Sequence, residues 1–439
     1  MFYVLMLVYS IITTFIANSY LLVDSFSQSW FVLVPVFAFL ILLSGVFFLK
    51  TQSKRLKFCY HGTVLLTSFC FATIASVPIQ IISAIVLLFK DNTVIFNNVL
   101  FCACSLLIVF VSGILSVYLT STQLGIKIRL ICAVLGLIPI VNVIALFFLI
   151  KTTADECLFE VKKEELNKKR KAERVCATKY PLLFVHGIFV RDTRYFNYWG
   201  RIPAELEKNG AQIFYGNHHS ATSVADSAAE LKERILEVLA QTKAEKVNII
   251  AHSKGGIDCR YAIAKLGMQD YVASLTTINT PHRGCFFADY LLKQAPEKLK
   301  LRIADTYNKT LKKIGDDNPD FLAAVSNLTV EYCKKLDAEL PLPDGVFCQS
   351  VGSVVKKAKS GKFPANVCYH VVKHFSGEND GVVGEKSFKW SDNYILLRPT
   401  KKRGISHTDM IDFNRENIKG FDVREFYVKL VNDLKNRGL

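Results

Sequence analysis

Acidic residues are almost missing from the first third of the chain. Residues 1–150 contain two, Asp24 and Asp91, against seven basic residues: Lys50, Lys54, Arg55, Lys57, Lys90, Lys127 and Arg129. No charge of either sign falls between Lys57 and Lys90, or between Asp91 and Lys127. Buried helices of soluble proteins rarely run that far uncharged, whereas a bilayer asks for about 20 apolar residues in succession. The shortage of charge excludes a single soluble domain and a disordered chain, and the composition excludes a collagen-like fibre. A metal-type CxxC pair is also missing after residue 150. The seven cysteines there (Cys157, Cys176, Cys259, Cys285, Cys333, Cys348, Cys368) are odd in number and scattered. That pattern fits reduced thiols and not a disulfide framework. No aromatic–basic RNA motif or recognition helix accompanies the net charge of +16, so nucleic acid is not an expected partner.

What is present divides in two. Residues 151–439 carry 47 of the chain's 54 basic residues and 36 of its 38 acidic ones, and they suffice for one large α/β core. Residues 1–150 read as a multi-pass transmembrane domain with five apolar stretches: Met1–Val23, Trp30–Leu49, Thr63–Phe89, Val94–Leu119 and Leu130–Ile150. Met1–Val23 lacks the basic start and the cleavage site of a signal peptide. The Lys50–Lys57 cluster and the Lys127/Arg129 pair should face the cytoplasm, with Asp24–Ser29 and Asp91–Asn98 outside. Strict alternation of five spans would leave residue 151 outside, against the basic run Lys162–Arg174. The conflict disappears if Leu130–Ile150 dips in and returns, broken at Gly136–Asn142, and four spans plus one re-entrant hairpin are expected. A plain fifth span with a proline kink is the alternative. Residues 151–178 form a charged linker. Its Asp155–Arg174 segment has no proline or glycine and reads as a helical connector, with its basic side on anionic headgroups or simply solvated. The remainder, 179–439, is then cytoplasmic, in an integral protein of the cell membrane.

In that remainder, Tyr180–Gly187 is an apolar run stopped by a glycine, the pattern of a buried parallel strand. Further strands are expected at Ala211–Tyr215, Lys246–Ala251, Ser274–Asn279, Val367–Phe375 and Asn393–Leu397. Val224–Thr242 has helical periodicity. Alternating strands and helices imply a mostly parallel sheet flanked by helices. The third strand runs into Ala251-His-Ser-Lys-Gly-Gly256, a small-x-Ser-x-Gly turn that strains and exposes Ser253 between a strand and a helix. An activated serine needs a base, an orienting acid and an oxyanion hole. The backbone amides of Ile188, in the loop after the first strand, and of Lys254 are placed to form the hole. Asp380, on the tight Asn379-Asp-Gly381 turn, fits the acid, with Glu378 as the alternative. His407 is the only histidine after Asp380, and Ser253, Asp380, His407 is the chain order expected for such a site. The other histidines read as loop-holding, surface or satisfied core residues, and none is spaced like a metal site.

These segments resemble the bacterial triacylglycerol lipases of the α/β-hydrolase superfamily. The resemblance rests on Pro181–Ile188 (PLLFVHGI), Tyr198–Leu206 (YWGRIPAEL), Lys246–Gly256 (KVNIIAHSKGG), Arg260-Tyr261, Val272–Asp289 (VASLTTINTPHRGCFFAD), Asn379–Val383 (NDGVV) and His407–Asp409. It implies Ser253 as nucleophile, Asp380 as acid, His407 as base, and the Ile188 and Lys254 amides as oxyanion donors. Lys254 replaces a usual glutamine, and its ammonium should reach either an anionic headgroup or solvent. Asp409 stands where such lipases place one calcium ligand, but no acid occurs between Asp344 and Glu378 to partner it, so no metal and no cofactor are expected. A helical lid or cap is expected at about 285–351, and Phe189, Phe286 and Phe287 are candidate substrate contacts. The implied activity is a membrane-embedded serine ester hydrolase cleaving lipid acyl esters through an acyl-enzyme. A phospholipase, thioesterase or acyltransferase with the same triad, and a non-catalytic membrane-anchored binding protein, stay open.

Overall fold

In the computed structural model, residues 2–22, 49–87, 92–188, 197–313, 319–362, 365–398 and 403–439 are described. The chain divides into two compact units, Met1–Lys168 and Lys169–Leu439.

The first unit is helical: α1 Phe2–Ala17, α2 Lys54–Leu87, α3 Asn92–Thr120, α4 Gly125–Leu135 and the start of α5, Val141–Arg170. Among the described residues, two helices are long and apolar enough to cross a membrane, Lys54–Val86 and Thr93–Thr120. The expected span Trp30–Leu49 lies, but for its last residue, outside the described residues. Leu130–Ile150 is not one helix: α4 ends at Leu135, Ile140 takes φ +69°, and α5 begins at Val141. The 11 residues of α4 reach only about 16 Å, too short to span. Cys132 before the break belongs to one cluster with Ala145 and Leu149 after it, so the segment is two helices joined at residues 136–140 and not one continuous helix.

Polar side chains inside this unit bond to one another. Just past α1, Asn18 donates to Ser76 Oγ (2.8 Å) and accepts from Gln80 (2.9 Å), and Gln80 accepts from Asn98 (2.7 Å). Within the segment read as a charged connector, Glu156 is buried on α5. It accepts from Ser121 Oγ at 2.6 Å, Thr122 Oγ1 at 2.9 Å and Arg55 at 2.7 Å. Burial pushes this carboxyl up, but the hydrogen bonds from Ser121 and Arg55 outweigh that and hold it below the usual carboxylate range.

The second unit is built on six parallel strands in the order β2-β1-β3-β4-β5-β6. They are β1 Leu182–Val185, β2 Ile213–Tyr215, β3 Val247–His252, β4 Val272–Ile278, β5 Phe347–Ser353 and β6 Asn393–Leu397. Side chains alternate across the sheet. Leu182 and Phe184 face Trp199, α6 (Ile202–Lys208) and the last helix (Val423–Asn436). Leu183 and Val185 face α7 (Val224–Thr242) and α8 (Lys254–Lys265). Between β1 and β3 the strand order reverses, which opens a crevice beyond their carboxyl ends. Gly187 and Ser253 emerge there.

Two expectations fail. Val367–Phe375 is not a strand but lies in a helix, Ala365–Ser376, with Ala365, Cys368, Tyr369 and Val372 buried at helical spacing. Its β-branched residues gave it the look of a strand. The fifth strand is instead Phe347–Ser353, so the end of the expected cap belongs to the sheet. Its polar residues hid it: Gln349 donates to Thr276 Oγ1 (2.8 Å), and Ser353 Oγ accepts from Asn279 (2.7 Å). The segment between β4 and β5 is otherwise helical, with α9 Phe286–Lys293, α10 Glu297–Lys313, α11 Phe321–Ser326 and α12 Val330–Glu339. The helix Ala365–Ser376 is α13 and Val423–Asn436 is α14.

Leu231 on α7 is fully buried against the β1 and β3 side chains. Leu231→Ala should destabilise the second unit by about 3 kcal/mol, read as a shift of the denaturant midpoint at unchanged helix content.

Candidate active site

β3 is buried along its whole length and ends at His252, and α8 begins at Lys254. Ser253 makes the turn between them in one residue, at φ 55° and ψ −130°. Such backbone is strained for a residue with a side chain. The first turn of α8 grazes its neighbours: a Cβ on Gly255 would lie 2.4 Å from the His186 carbonyl oxygen, and one on Gly256 2.2 Å from Thr280 Oγ1. Glycine at both positions lets the helix start this close to the sheet. The Lys254 N–H belongs to that first turn, where a helix leaves amides without an intrahelical acceptor. The end of β1 closes in from the other side, since a Cβ on Gly187 would sit 2.8 Å from Ser253 Cβ.

Asp380 is fully buried. Its Oδ1 accepts from the backbone amides of Val382 (2.9 Å) and Val383 (2.8 Å). Its Oδ2 accepts from Asn279 Nδ2 (2.6 Å) and His407 Nδ1 (2.5 Å). The His407 amide also donates to the Asp380 carbonyl at 2.9 Å. With Nδ1 committed to the carboxylate, the His407 ring is left with Nε2 for other work. Glu378, the alternative acid, is exposed and paired with Arg398.

His252 ties the two sides of the crevice. Its ring lies 4.4 Å from the His407 ring, its Nε2 is 3.2 Å from the His407 carbonyl, and its Nδ1 is 2.7 Å from the Tyr198 hydroxyl. A carbonyl only accepts, so Nε2 carries the proton and Nδ1 accepts from Tyr198. The Tyr198 oxygen in turn accepts the Gly187 amide at 3.1 Å. His282 has a similar holding role in the loop after β4. It accepts from Arg260 (3.1 Å), lies 2.9 Å from Thr277 Oγ1, and stacks on Trp390.

Lys254 departs from both expectations for its side chain. It is wholly buried, and its ammonium donates to Asp258 Oδ1 (2.8 Å) and Ser227 Oγ (2.9 Å), meeting neither solvent nor headgroup. Ile188 is buried in the loop that follows β1. Phe286 is exposed and stacks on Phe375, Phe287 packs half-buried against the α9–α12 helices, and Phe189 lies outside the described residues. Asp409 accepts from the Ser406 amide (2.8 Å) and Arg403 (3.1 Å). Among the described residues, no cluster of His, Cys, Asp and Glu is arranged to hold a metal ion. All twelve cysteines are free, and burial pushes the Cys285 thiol, near Asp380, up to about 12, which leaves it a poor rival nucleophile.

The sequence did not single out Asn279, Tyr198 or Asp258. Asn279 follows β4 at φ 48°, a left-handed residue at a strand end beside β3. That position was the available signal for it. Tyr198 and Asp258 carry none before the fold is known.

Residues 180–356 match the family model described as alpha/beta hydrolase fold, and the parallel sheet with its reversal at β1 and β3 has that architecture. A triacylglycerol lipase of Pseudarthrobacter phenanthrenivorans is 33% identical over 182 residues, covering 39% of this chain and 56% of its own length. One from Burkholderia plantarii is also 33% identical over 182 residues, covering 39% of this chain and 50% of its own. The chain thus spans about half the length of these two curated relatives. Triacylglycerol lipase 2 of Saccharomyces cerevisiae is 28% identical over 276 residues, covering 56% and 77%. Among solved structures, the mature lipase BlEst2 of Bacillus licheniformis aligns with a TM-score of 0.43 at 23% identity, covering 58% of this chain and 92% of that one. Phospholipase PlaB of Legionella pneumophila aligns at 0.40 and 14% identity, covering 59% and 62%.

Burial, reinforced by the charge of His407 beside His252 and of Arg260 beside His282, pushes both buried imidazoles well below the ordinary 6.5. The unfolded chain binds protons there below 6.5 that the folded chain refuses. Stability is therefore full above that pH and declines as pH falls, by up to about 1.4 kcal/mol per pH unit for each histidine. His282→Gln should flatten the decline between pH 6.5 and 5 by about one histidine's share, measured by urea midpoints.

Proposed function

We propose that this chain is a membrane-embedded serine hydrolase that cleaves acyl esters of lipids. The observation that carries the reading is the buried 2.5 Å hydrogen bond from His407 Nδ1 to Asp380, set beside the strained turn that presents Ser253. In this reading Ser253 Oγ attacks the acyl carbonyl as His407 Nε2 removes its proton. Asp380 holds the imidazole tautomer and stabilises the imidazolium. The Ile188 and Lys254 amides receive the developing oxyanion. His407 returns the proton to the leaving alcohol, and water, deprotonated by the same imidazole, clears the acyl-enzyme. Cap helices between β4 and β5 shelter the site, and Phe189, Phe286 and Phe287 contact the acyl chain. The names of the matched relatives favour a lipid ester over a water-soluble one.

Residues 1–150 serve as the multi-pass anchor in the cell membrane, 151–178 as a linker, and 179–439 as the catalytic domain on the cytoplasmic side. Support for the anchor comes from which way its apolar surface points. Only 11% and 22% of the apolar windows of α2 and α3 are buried, and Ile74, Leu115 and Leu119 stand outward. A core helix of a soluble protein would bury such residues, while a bilayer accepts them.

The full chain in lipid nanodiscs, assayed against glycerides, phospholipids and acyl thioesters, should favour an oxygen ester. Ser253→Ala should remove both hydrolysis and labelling by a fluorophosphonate, and labelling that persists would overturn the assignment. Asp380→Asn should lower kcat by about 10⁴ with KM little changed, because the amide favours the wrong imidazole tautomer.

A further inference from the structure

We infer that the buried Lys254–Asp258 pair, continued through His218 and His186, is a positioning device that holds the two backbone donors flanking Ser253 in register. The inference rests on the serine-hydrolase reading and adds residues to it. Lys254 is the first residue of α8, at the positive end of the helix dipole, and its side chain is wholly buried. Asp258, one turn on and equally enclosed, offsets the ammonium charge at 2.8 Å. A buried ion pair contributes less to stability than an apolar pair of the same shape, so packing alone does not account for it.

The cluster continues toward the other donor. Asp258 Oδ2 lies 3.7 Å from His218 Nε2. The His218 ring stacks on His186 at 4.4 Å and 25°. His186 Nδ1 lies 3.0 Å from the Gly187 carbonyl oxygen, which also accepts Ser220 Oγ at 2.9 Å. A carbonyl only accepts, so His186 carries its proton on Nδ1. The Gly187 carbonyl and the Ile188 N–H belong to one planar trans peptide and point in opposite directions. Two donors that clamp the oxygen therefore fix the direction of the Ile188 N–H. At the far end of the cluster, the Lys254 side chain is anchored within the residue whose own amide is the second donor. Among the described residues, the charged and titratable groups facing Asp258 are Lys254 and Cys259 on α8, His218 after β2, His186 after β1 and Tyr332 on α12.

The test uses the full chain in nanodiscs and the neutral double variant Lys254→Gln/Asp258→Asn, which leaves no uncompensated charge. A second variant, His218→Phe, keeps a ring against His186 and removes the contact with Asp258. Expected for either is a kcat lower by about 10-fold to 100-fold, a KM within about twofold, and weaker inhibition by an alkyl boronic acid by the same factor as kcat, at unchanged thermal stability. A merely structural pair would move stability and leave kcat and boronate affinity alone in every variant that folds. Wild-type kcat in His218→Phe, or in a folded double variant, overturns the inference. Failure of the underlying reading looks different: the wild-type chain itself would not be labelled by a fluorophosphonate at Ser253.

Discussion

The backbone of Ser253, at φ 55° and ψ −130°, is the constraint from which the second unit follows. Strain of that kind costs on the order of 1–3 kcal/mol and persists only where the surroundings over-determine it. Here they do. β3 arrives buried on both faces between β1 and β4, and its register continues to the pair His252 and Ile278, so the chain has no freedom until the turn. α8 then leaves at once, pressed on the His186 carbonyl and on Thr280, and both α8 and α7 bury their apolar sides on the sheet. The same crowding brings the loops after β1 and β4 within reach of the serine.

Around that turn the polar groups are held by several partners each. Asp380 takes four donors on two oxygens, two from its own loop, one from Asn279 just past β4 and one from His407. Arg260, under Trp390, bonds Asp337, the Leu340 carbonyl and His282, which fixes the loop after β4 to the helices that follow it. In a low-dielectric interior such hydrogen bonds are stronger than in water, and the loss of one partner leaves a desolvated group behind. The result is a rigid frame, of the kind that the proposed oxyanion site would require.

In the helical unit the same rule applies with the opposite exterior. Polar residues such as Asn18, Ser76, Gln80 and Asn98 bond to each other between the helices, while Ile74, Leu115, Leu119 and other large apolar residues stand outside. That inversion is what a protein proposed to sit in a bilayer needs, because lipid offers a polar atom no partner. The buried Glu156, bonded to Arg55 and the Ser121–Thr122 turn, ties α5 to the ends of α2 and α3.

Local pattern in the sequence determined the elements whose signal is local. The division of charge at residue 150, the apolar strands that stop at Gly187 and Ser253, and the α7 periodicity could all be read from neighbours along the chain. So could the chain order of the proposed Ser253, Asp380 and His407, because each stands at a turn. Only the tertiary structure decided the rest. Val367–Phe375 folds as a helix because its burial follows a period of 3.6, which its β-branched composition masks. β5 carries polar residues that are acceptable inside the sheet only because Thr276 on β4 and Asn279 just past it meet them. Lys254 looked like a surface charge until Asp258 and Ser227 closed over it. Asn279 gained its place on Asp380 from the adjacency of β4 and β5, which no local pattern encodes. Periodicity and turn chemistry are properties of a short segment, but the partner of a buried polar group is set by strand order, and that exists only once the chain has folded.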